Sequence, residues 1–385
     1  MSWPIYASDE IDAVLDVLRR GQGNAWSGPD VAAFEAAYAA YVGVPHAVAL
    51  SNGTVALELG LRALGIGPGD EVLVTARSFM ASASAIVAVG ARPVFADVDA
   101  DSQNVTASTL EAVRTARTRA VVLVHLAGWM CEMDAILPWA ARHGLKVLED
   151  CAQAHGATYQ GRPAGSFGHA AAWSFCQDKI ISTGGEGGML TTADPEVWRT
   201  VWMLKDHGKS PERMALAEPG PHFRWVHERF GTNARMTAMQ AAIGRLQLGK
   251  CTAWVAGRQA RAERLFDAAA RHPALRVPLP PAHLSHAYYR AYVFVRPQLL
   301  RRGWTRDRLL LALQQQGVRC FQGSCPEIYR EAAFMRAGLG PARTLPVARQ
   351  LGLTGLAFPV DPGQGESEQQ VRLKALDRVM HLASR

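Results

Sequence analysis

The sequence predicts an α/β protein: a large αβα unit built on a mostly parallel sheet, followed by a smaller C-terminal α/β unit. Three observations carry that prediction. Between about residues 45 and 195, short apolar runs alternate with amphipathic segments, which is the pattern of strands alternating with helices. From Met236 to Ala270 the chain turns rich in Ala, Arg, Gln and Leu, as a long connecting helix would. Its 385 residues, 49% hydrophobic and 19% charged, exceed one ordinary domain and suffice for a large buried core. The expected division is a large unit over residues 1–250 and a small one over 251–385.

Strands are expected at Ala47–Leu50, Glu71–Thr75, Pro93–Asp97, Ala120–His125, Leu145–Glu149, Ala170–Phe175 and Gly188–Thr192. Helices fit the gaps at Val55–Leu64, Met80–Val89, Ser108–Thr115 and Met133–His143. The run Gly65-Ile66-Gly67-Pro68-Gly69-Asp70 closes the first of these helices, and Gly144 caps the last. Pro278-Leu279-Pro280-Pro281 breaks the long helix. Beyond it Ala287–Arg296 alternates like a strand, Thr305–Gln316 reads as a helix with Thr305 as N-cap, and Gln369–Leu382 as a final amphipathic helix. No internal repeat or low-complexity tract is present.

Composition narrows the function. Apolar runs such as Ala120–Ala127 and Ala83–Val89 are far shorter than the roughly 20 residues of a membrane-spanning helix. Met1-Ser2-Trp3-Pro4-Ile5 lacks the basic region and apolar core of a secretory signal. Cys131, Cys151, Cys176, Cys251, Cys320 and Cys325 form no Cys-x-x-Cys pair, so free thiols in a reducing cytoplasm are expected, with no metal site and no disulfide framework. The net charge of +7 comes from scattered arginines; it describes either a solvated surface or attraction for an anionic substrate, and nothing specific supports nucleic-acid binding.

Chemistry concentrates in four segments. Lys179 lies in Ser174-Phe175-Cys176-Gln177-Asp178-Lys179, is followed by Gly184-Gly185-Glu186-Gly187-Gly188, and comes 29 residues after Asp150. A lysine in that setting reads as an anchor for pyridoxal 5'-phosphate, whereas alone it would pass for a solvated charge. Its amine must be neutral to attack an aldehyde, so a partly buried position that lowers its pKa is expected. Asp150 ends a buried strand, where ligands bind in open α/β sheets. A carboxylate there either keeps the cofactor's pyridine nitrogen protonated or caps a following helix. Gln153, about a helical turn further on, can hydrogen-bond the ring's phenolic oxygen. Ser51-Asn52-Gly53-Thr54 sits between a strand end and a helix start, where free N–H groups favour a phosphate; the alternative is an N-cap with a tight turn. Ser174 either donates to the phosphate or only ends its strand. In Gly231-Thr232-Asn233-Ala234-Arg235-Met236, a turn into the long helix, Asn233 is a polar ligand or a cap. His155 is a substrate neighbour or a structural histidine, and Cys151 a small buried filler. The segment from Phe321 to Tyr329 faces the substrate or is a surface loop.

Together these segments resemble the sugar aminotransferases of the DegT/DnrJ/EryC1/StrS family, which are fold-type I pyridoxal-phosphate-dependent transferases. The resemblance runs from Trp26-Ser27-Gly28-Pro29 through Glu149–Gly156 and Lys179 to Asn233–Ile243. It implies that Gly53, Thr54 and Ser174 bind the cofactor phosphate, Phe79 stacks on the ring, Asp150 pairs with the ring nitrogen, and Gln153 meets the phenolic oxygen. By the same resemblance Lys179 links covalently to the cofactor, and Asn233 reaches the phosphate bound in the partner subunit of a homodimer with shared active sites. The implied reaction converts a nucleotide-linked ketosugar to an aminosugar with L-glutamate as donor, in polysaccharide, lipopolysaccharide O-antigen or related biosynthesis. Alternatives are a cyclitol or antibiotic-precursor ketone as substrate and, from another class, a non-catalytic sensor with this fold. Sugar 3-dehydratase relatives carry His where Lys179 stands. The chain departs from the family at Cys176, where His, Tyr or Phe is usual, and at Gln177-Asp178. Glu186, seven residues after Lys179, mixes features of enzymes that aminate C3 and C4.

Overall fold

The computed structural model describes residues 3–216 and 223–384; Met1 and Ser2, which open the N-terminal reading, lie outside that range. Two helices, α1 (Ser8–Arg20) and α2 (Asp30–Val42), precede the sheet. Then follow β1 (His46–Leu50), α3 (Gly53–Ala63), β2 (Glu71–Thr75), α4 (Ala81–Ala88), β3 (Arg92–Ala96), α5 (Ala107–Glu111), β4 (Thr118–Val124), α6 (Met133–Arg142) and β5 (Lys146–Asp150). A short ribbon of β6 (Thr158–Tyr159) and β7 (Arg162–Pro163) leads to β8 (Ala170–Ser174), β9 (Gly188–Thr192), α7 (Pro195–Lys205) and α8 (Pro211–Leu216).

Seven strands form the central sheet in the order β1-β9-β8-β5-β4-β2-β3. All run in one direction except β9, which is antiparallel to both β1 and β8. Every residue of β2, β8 and β9 is buried, as both faces of a parallel sheet must be covered. On one face Phe34 and Tyr38 of α2 pack with Trp173 and Phe175, and on the other Leu57 and Leu61 of α3 pack with Leu148 and Leu190. All seven expected strands are present, with ends displaced by a residue or two. One displacement matters: β5 starts at Lys146 and ends on Asp150, so the carboxylate is the last rung of its strand. No expectation covers α1, α2 or α7; the Ala-rich, almost uniformly apolar α2 shows no helical stripe in its sequence.

The helix expected from Met236 is α9 (Ala238–Ala270), 33 residues long, capped by Thr237 in a reciprocal box with Gln240. The preceding segment is extended and is not a turn. Asn233 bridges Asp206 and Arg235 bridges Leu50, so the cap is Thr237, not Asn233. Beyond α9, β10 (Leu275–Arg276), β12 (Ala291–Val295) and β13 (Gly355–Phe358) form an antiparallel sheet, while β11 (Leu284–Ser285) joins the β6–β7 ribbon. Helices α10 (Arg306–Gln315) and α13 (Glu366–Ala383) pack with the second half of α9 around Leu265, Leu309 and Leu376. Two shorter helices, α11 (Ala332–Arg336) and α12 (Pro346–Thr354), complete the unit. Thr305 caps α10, accepting the Arg308 N–H at 3.2 Å. The strand expected over Ala287–Arg296 is shorter, because Tyr288 takes a positive φ of 46° and breaks the ladder before β12 begins. Residues 250 and 251 fall inside α9, and we propose that the units 1–250 and 251–385 share this helix. Among the described residues no helix is long and apolar enough to cross a membrane.

Candidate active site

Asp150 projects from the carboxyl end of β5 with two hydrogen bonds: the Ser82 hydroxyl donates to Oδ2 at 2.7 Å and the Ala152 N–H to Oδ1 at 3.2 Å. Ser82 itself contacts the Ser78 hydroxyl at 2.9 Å. Burial raises the Asp150 pKa above the ordinary carboxylate value, and the Ser82 and Ala152 bonds and the nearby Lys179 charge offset it only in part. Residues 151–157 form turns, so Asp150 caps no helix and Gln153 is not on one. The turn still brings Gln153 inward: its Oε1 accepts the Ala127 N–H at 2.7 Å, which leaves the amide nitrogen, a donor, as its free end.

The segment after β1 meets the end of β8 side by side. Asn52 caps α3 by accepting the Val55 N–H at 2.9 Å, so the unpaired N–H groups of Gly53 and Thr54 head the helix. A Cβ on Gly53 would lie 2.7 Å from Cβ of Ser174; only glycine permits that approach. Ser174 Oγ accepts the Cys176 N–H at 3.3 Å. The chain then turns through Lys179, and in the loop that follows Gly184 and Gly185 adopt φ of +88° and +126°, successive left-handed values that favour glycine. Phe79, between β2 and α4, keeps 69% of its surface exposed, and its neighbour Ser78 bridges Cys325. The segment from Phe321 to Tyr329 therefore packs on the loop that carries Phe79, with Ile328 and Tyr329 buried.

Lys179 is only 14% exposed, with Nζ 3.7 Å from Asp178 Oδ1 and 4.8 Å from the centroid of the Tyr289 ring. The Trp3 indole N–H donates to its carbonyl at 2.7 Å. Burial acts to lower the Lys179 pKa, as expected from the sequence, but Tyr289, Asp178, Cys176 and Asp150 outweigh it and the pKa stands above that of an ordinary lysine. The expected depression is thus reversed by Tyr289, which the fold brings in from the C-terminal unit, and by Asp178, the residue next to Lys179 in the chain. Asn233 stands apart from this group. It is exposed and lines a surface groove of about 520 Å³ with Val17, Leu18, Arg235, Met236 and Met239.

Two buried histidines belong to the framework. His155 accepts no solvent: its Nδ1 meets the Tyr38 hydroxyl at 2.7 Å, its Nε2 meets the Ser174 carbonyl at 2.9 Å, and burial lowers its pKa to about 3. It holds Ser174 from beneath as a neutral ring. His125 Nε2 lies 2.9 Å from Glu149 Oε2, and Glu149 also accepts the N–H groups of Gly165, Phe167 and Gly168. His125, Glu149 and Cys151 bring potential metal-ligand atoms within 4.8 Å. However, His125 Nδ1 accepts the Cys131 N–H and both Glu149 oxygens are engaged, so the cluster reads as a hydrogen-bonded strut.

The donor set fits a phosphate-bearing pyridine aldehyde. Helix N–H groups and a serine lie in a cradle that a side chain on Gly53 would fill, and the buried Asp150 carboxylate, held by two donors, feels the charge of the shielded Lys179. Ser82, Ser78, Tyr289 and Trp3 escaped the sequence reading. Ser82 in an Ala-rich helix and Ser78 in the loop before it carry no signal, and Tyr289 and Trp3 lie more than a hundred residues from Lys179 in the chain.

Residues 4–376 match the family model of the DegT/DnrJ/EryC1/StrS aminotransferase family. The chain is 38% identical over 355 residues to GDP-perosamine synthase of Caulobacter vibrioides, covering 92% of this chain and 91% of that protein. It is 34% identical over 359 residues to dTDP-3-amino-3,4,6-trideoxy-alpha-D-glucose transaminase of Streptomyces venezuelae, covering 93% and 88%. Among solved structures, an aminotransferase from Psychrobacter cryohalolentis superposes with a TM-score of 0.97 at 47% identity, over 99% of both chains.

The adjacent carboxylates of β5 have opposite pKa shifts, and stability should respond with opposite signs. Glu149 is held below the usual range because the His125 and backbone hydrogen bonds exceed its large burial penalty. Its contribution is present above the unfolded value and is lost as pH falls through the folded one. For Asp150 the folded pKa is raised, so its charge is a cost above that value, relieved as pH falls through it. In cofactor-free protein Glu149→Gln should lose about 3 kcal/mol, since it breaks a buried pair, whereas Asp150→Asn should raise the thermal midpoint at neutral pH. Thermal unfolding of both variants across pH 4 to 8 checks the pair; a lower midpoint for Asp150→Asn at neutral pH contradicts it.

Proposed function

The chain belongs to the DegT/DnrJ/EryC1/StrS aminotransferase family, and on that basis we propose that it converts a nucleotide-linked ketosugar to an aminosugar with pyridoxal 5'-phosphate as cofactor and L-glutamate as donor. One observation supports the reading: a buried carboxylate of raised pKa ends β5 and feels the charge of the shielded Lys179, while the open N-terminus of α3 lies against Ser174 at the end of β8. The names of the two curated relatives, a GDP-sugar synthase and a dTDP-sugar transaminase, support a nucleotide-linked substrate and leave the nucleotide open. Glutamate rests on the family resemblance. Six free cysteines accord with a reducing cytoplasm, and supply of an aminosugar to a surface polysaccharide is the role we infer.

In this reading Gly53, Thr54 and Ser174 hold the phosphate, Phe79 covers a ring face, and Gln153 donates to the phenolic oxygen. When bound, the cofactor supplies an aldehyde carbon and an electron-accepting pyridinium ring. Asp150 keeps the ring nitrogen protonated, and the cationic partner in turn lowers the Asp150 pKa. Lys179 would be the residue that holds the cofactor's aldehyde carbon, and its amine, when free, would carry a proton to or from the donor's α-carbon. We propose a homodimer in which Asn233, exposed beside the α1–α9 groove, donates to the phosphate in the partner's site.

A panel of keto-nucleotide sugars offered with L-glutamate, read by 2-oxoglutarate release and by the mass of the sugar product, tests the reaction. At least one member should be aminated, and Lys179→Ala and Lys179→Arg should each lose roughly three orders of magnitude or more, because neither can supply a neutral amine. Comparable turnover in either variant contradicts the assignment. Shared sites are tested by purified heterodimers of an Asn233→Ala chain and a Lys179→Ala chain. If Asn233 acts across the interface, both defects fall in one site and the other site stays whole, giving about half of wild-type activity. If it serves its own chain, both sites are impaired and no activity returns.

A further inference from the structure

Lys179 is enclosed by groups that the proposed reaction does not use. Asp178 places Oδ1 3.7 Å from Lys179 Nζ, while its Oδ2 accepts the Tyr289 hydroxyl and lies 3.6 Å from Arg290 NH2. The Tyr289 ring carries Lys179 Nζ at 4.8 Å and the Arg290 guanidinium carbon at 4.4 Å, so one aromatic ring and one carboxylate serve two cations. Tyr289 and Arg290 come from the C-terminal unit, 111 residues after Asp178 in the case of Tyr289. The carboxylate stays ionised: burial acts to raise its pKa, but Lys179, Tyr289 and Arg290 together hold it below the ordinary value.

We propose that Asp178 is a positioning residue for Lys179, forming with Tyr289 a clamp that fixes the amine over the tyrosine ring and retains its proton until the cofactor attaches. The proposal rests on the reading of Lys179 as the cofactor-linking residue. Attachment requires the ammonium to give up its proton to solvent; the neutral amine then adds to the aldehyde carbon, and water leaves as the C=N bond forms. The groups facing Lys179 are Asp178, Tyr289, Cys176 and Asp150, with Arg290 behind the tyrosine ring. Asp150 is engaged by Ser82 and Ala152, which leaves Asp178 as the carboxylate that pairs with the amine. The clamp also ties the lysine's orientation to the docking of the C-terminal unit.

The test is the pH dependence of pyridoxal phosphate attachment to wild-type, Asp178→Asn and Asp178→Glu apoproteins, followed by the absorbance of the bound cofactor and without any substrate. In wild type the rate should climb with pH toward a half-point at or above the ordinary lysine value of about 10.4. Asp178→Asn should move that half-point down by about one unit, a tenfold gain in neutral amine at a given pH, and Asp178→Glu should restore it. An Asp178→Asn profile that superimposes on wild type overturns the clamp. So does a wild-type half-point near neutral pH, a result that needs no variant to fold. If wild-type protein acquires no bound-cofactor absorbance at any pH, the aminotransferase reading itself fails, and that outcome is distinct from failure of the clamp.

Discussion

Burial of the Asp150 carboxylate at the end of β5 is the constraint around which the rest of the site is arranged. A charge at that depth, with one hydroxyl and one backbone N–H for company, is unfavourable in the isolated chain and favourable once a cation is brought against it. The neighbouring carboxylate, Glu149, is by contrast saturated by His125 and three backbone donors. Consecutive residues of one strand thus point to opposite faces with opposite tasks. Glu149 braces the loop of residues 165–168 on one face, and Asp150 meets the Ser82 hydroxyl on the other.

The walls of the site come from both halves of the chain. Arg77 donates to Gln103 at 2.9 Å and to the Ser324 carbonyl at 3.3 Å, Ser78 pairs with Cys325, and Tyr289 reaches Asp178. Arg77 is fully buried, and its pKa is lowered by that burial. A buried guanidinium is tolerated there in exchange for a defined placement of the segment from Phe321 to Tyr329 over the loop that carries Phe79. The position of the C-terminal unit therefore bears on the loop of Phe79, on the Asp150 carboxylate through Ser78 and Ser82, and on Lys179 through Tyr289.

Much of the scaffold was legible in the sequence because buried parallel strands appear as continuous apolar runs and their ends are marked by Gly, Asp or Ser. The candidates Asp150, Gly53 and Ser174 stand at or just after a strand end, and Lys179 stands between β8 and a glycine-rich loop, positions that the sequence marks. What was not legible depended on distance in the chain. Ser82 gives no signal in Ala81-Ser82-Ala83-Ser84, and it becomes meaningful only when α4 sets it against Asp150. The direction of the Lys179 pKa differs from the expectation because burial, which lowers it, is outweighed by Tyr289 and Asp178. Helix α2 gives no signal because it is apolar nearly all round, whereas α1, with apolar residues at helical spacing between an acidic first turn and a basic last turn, is legible although no expectation covers it; the single bridge between Asn233 and Asp206 could not be told from a turn by composition alone.

The central claim is that a single lysine in the loop after β8 and a carboxylate at the end of β5 together define one cofactor site. The most direct measurement is chemical: load the purified protein with pyridoxal phosphate, reduce it with borohydride, digest it and map the modified peptide by mass spectrometry. The account predicts one cofactor per chain, fixed on Lys179. Label on another lysine, such as Lys205, which is buried against Glu35 at 3.0 Å, or no stable label at all, would contradict it.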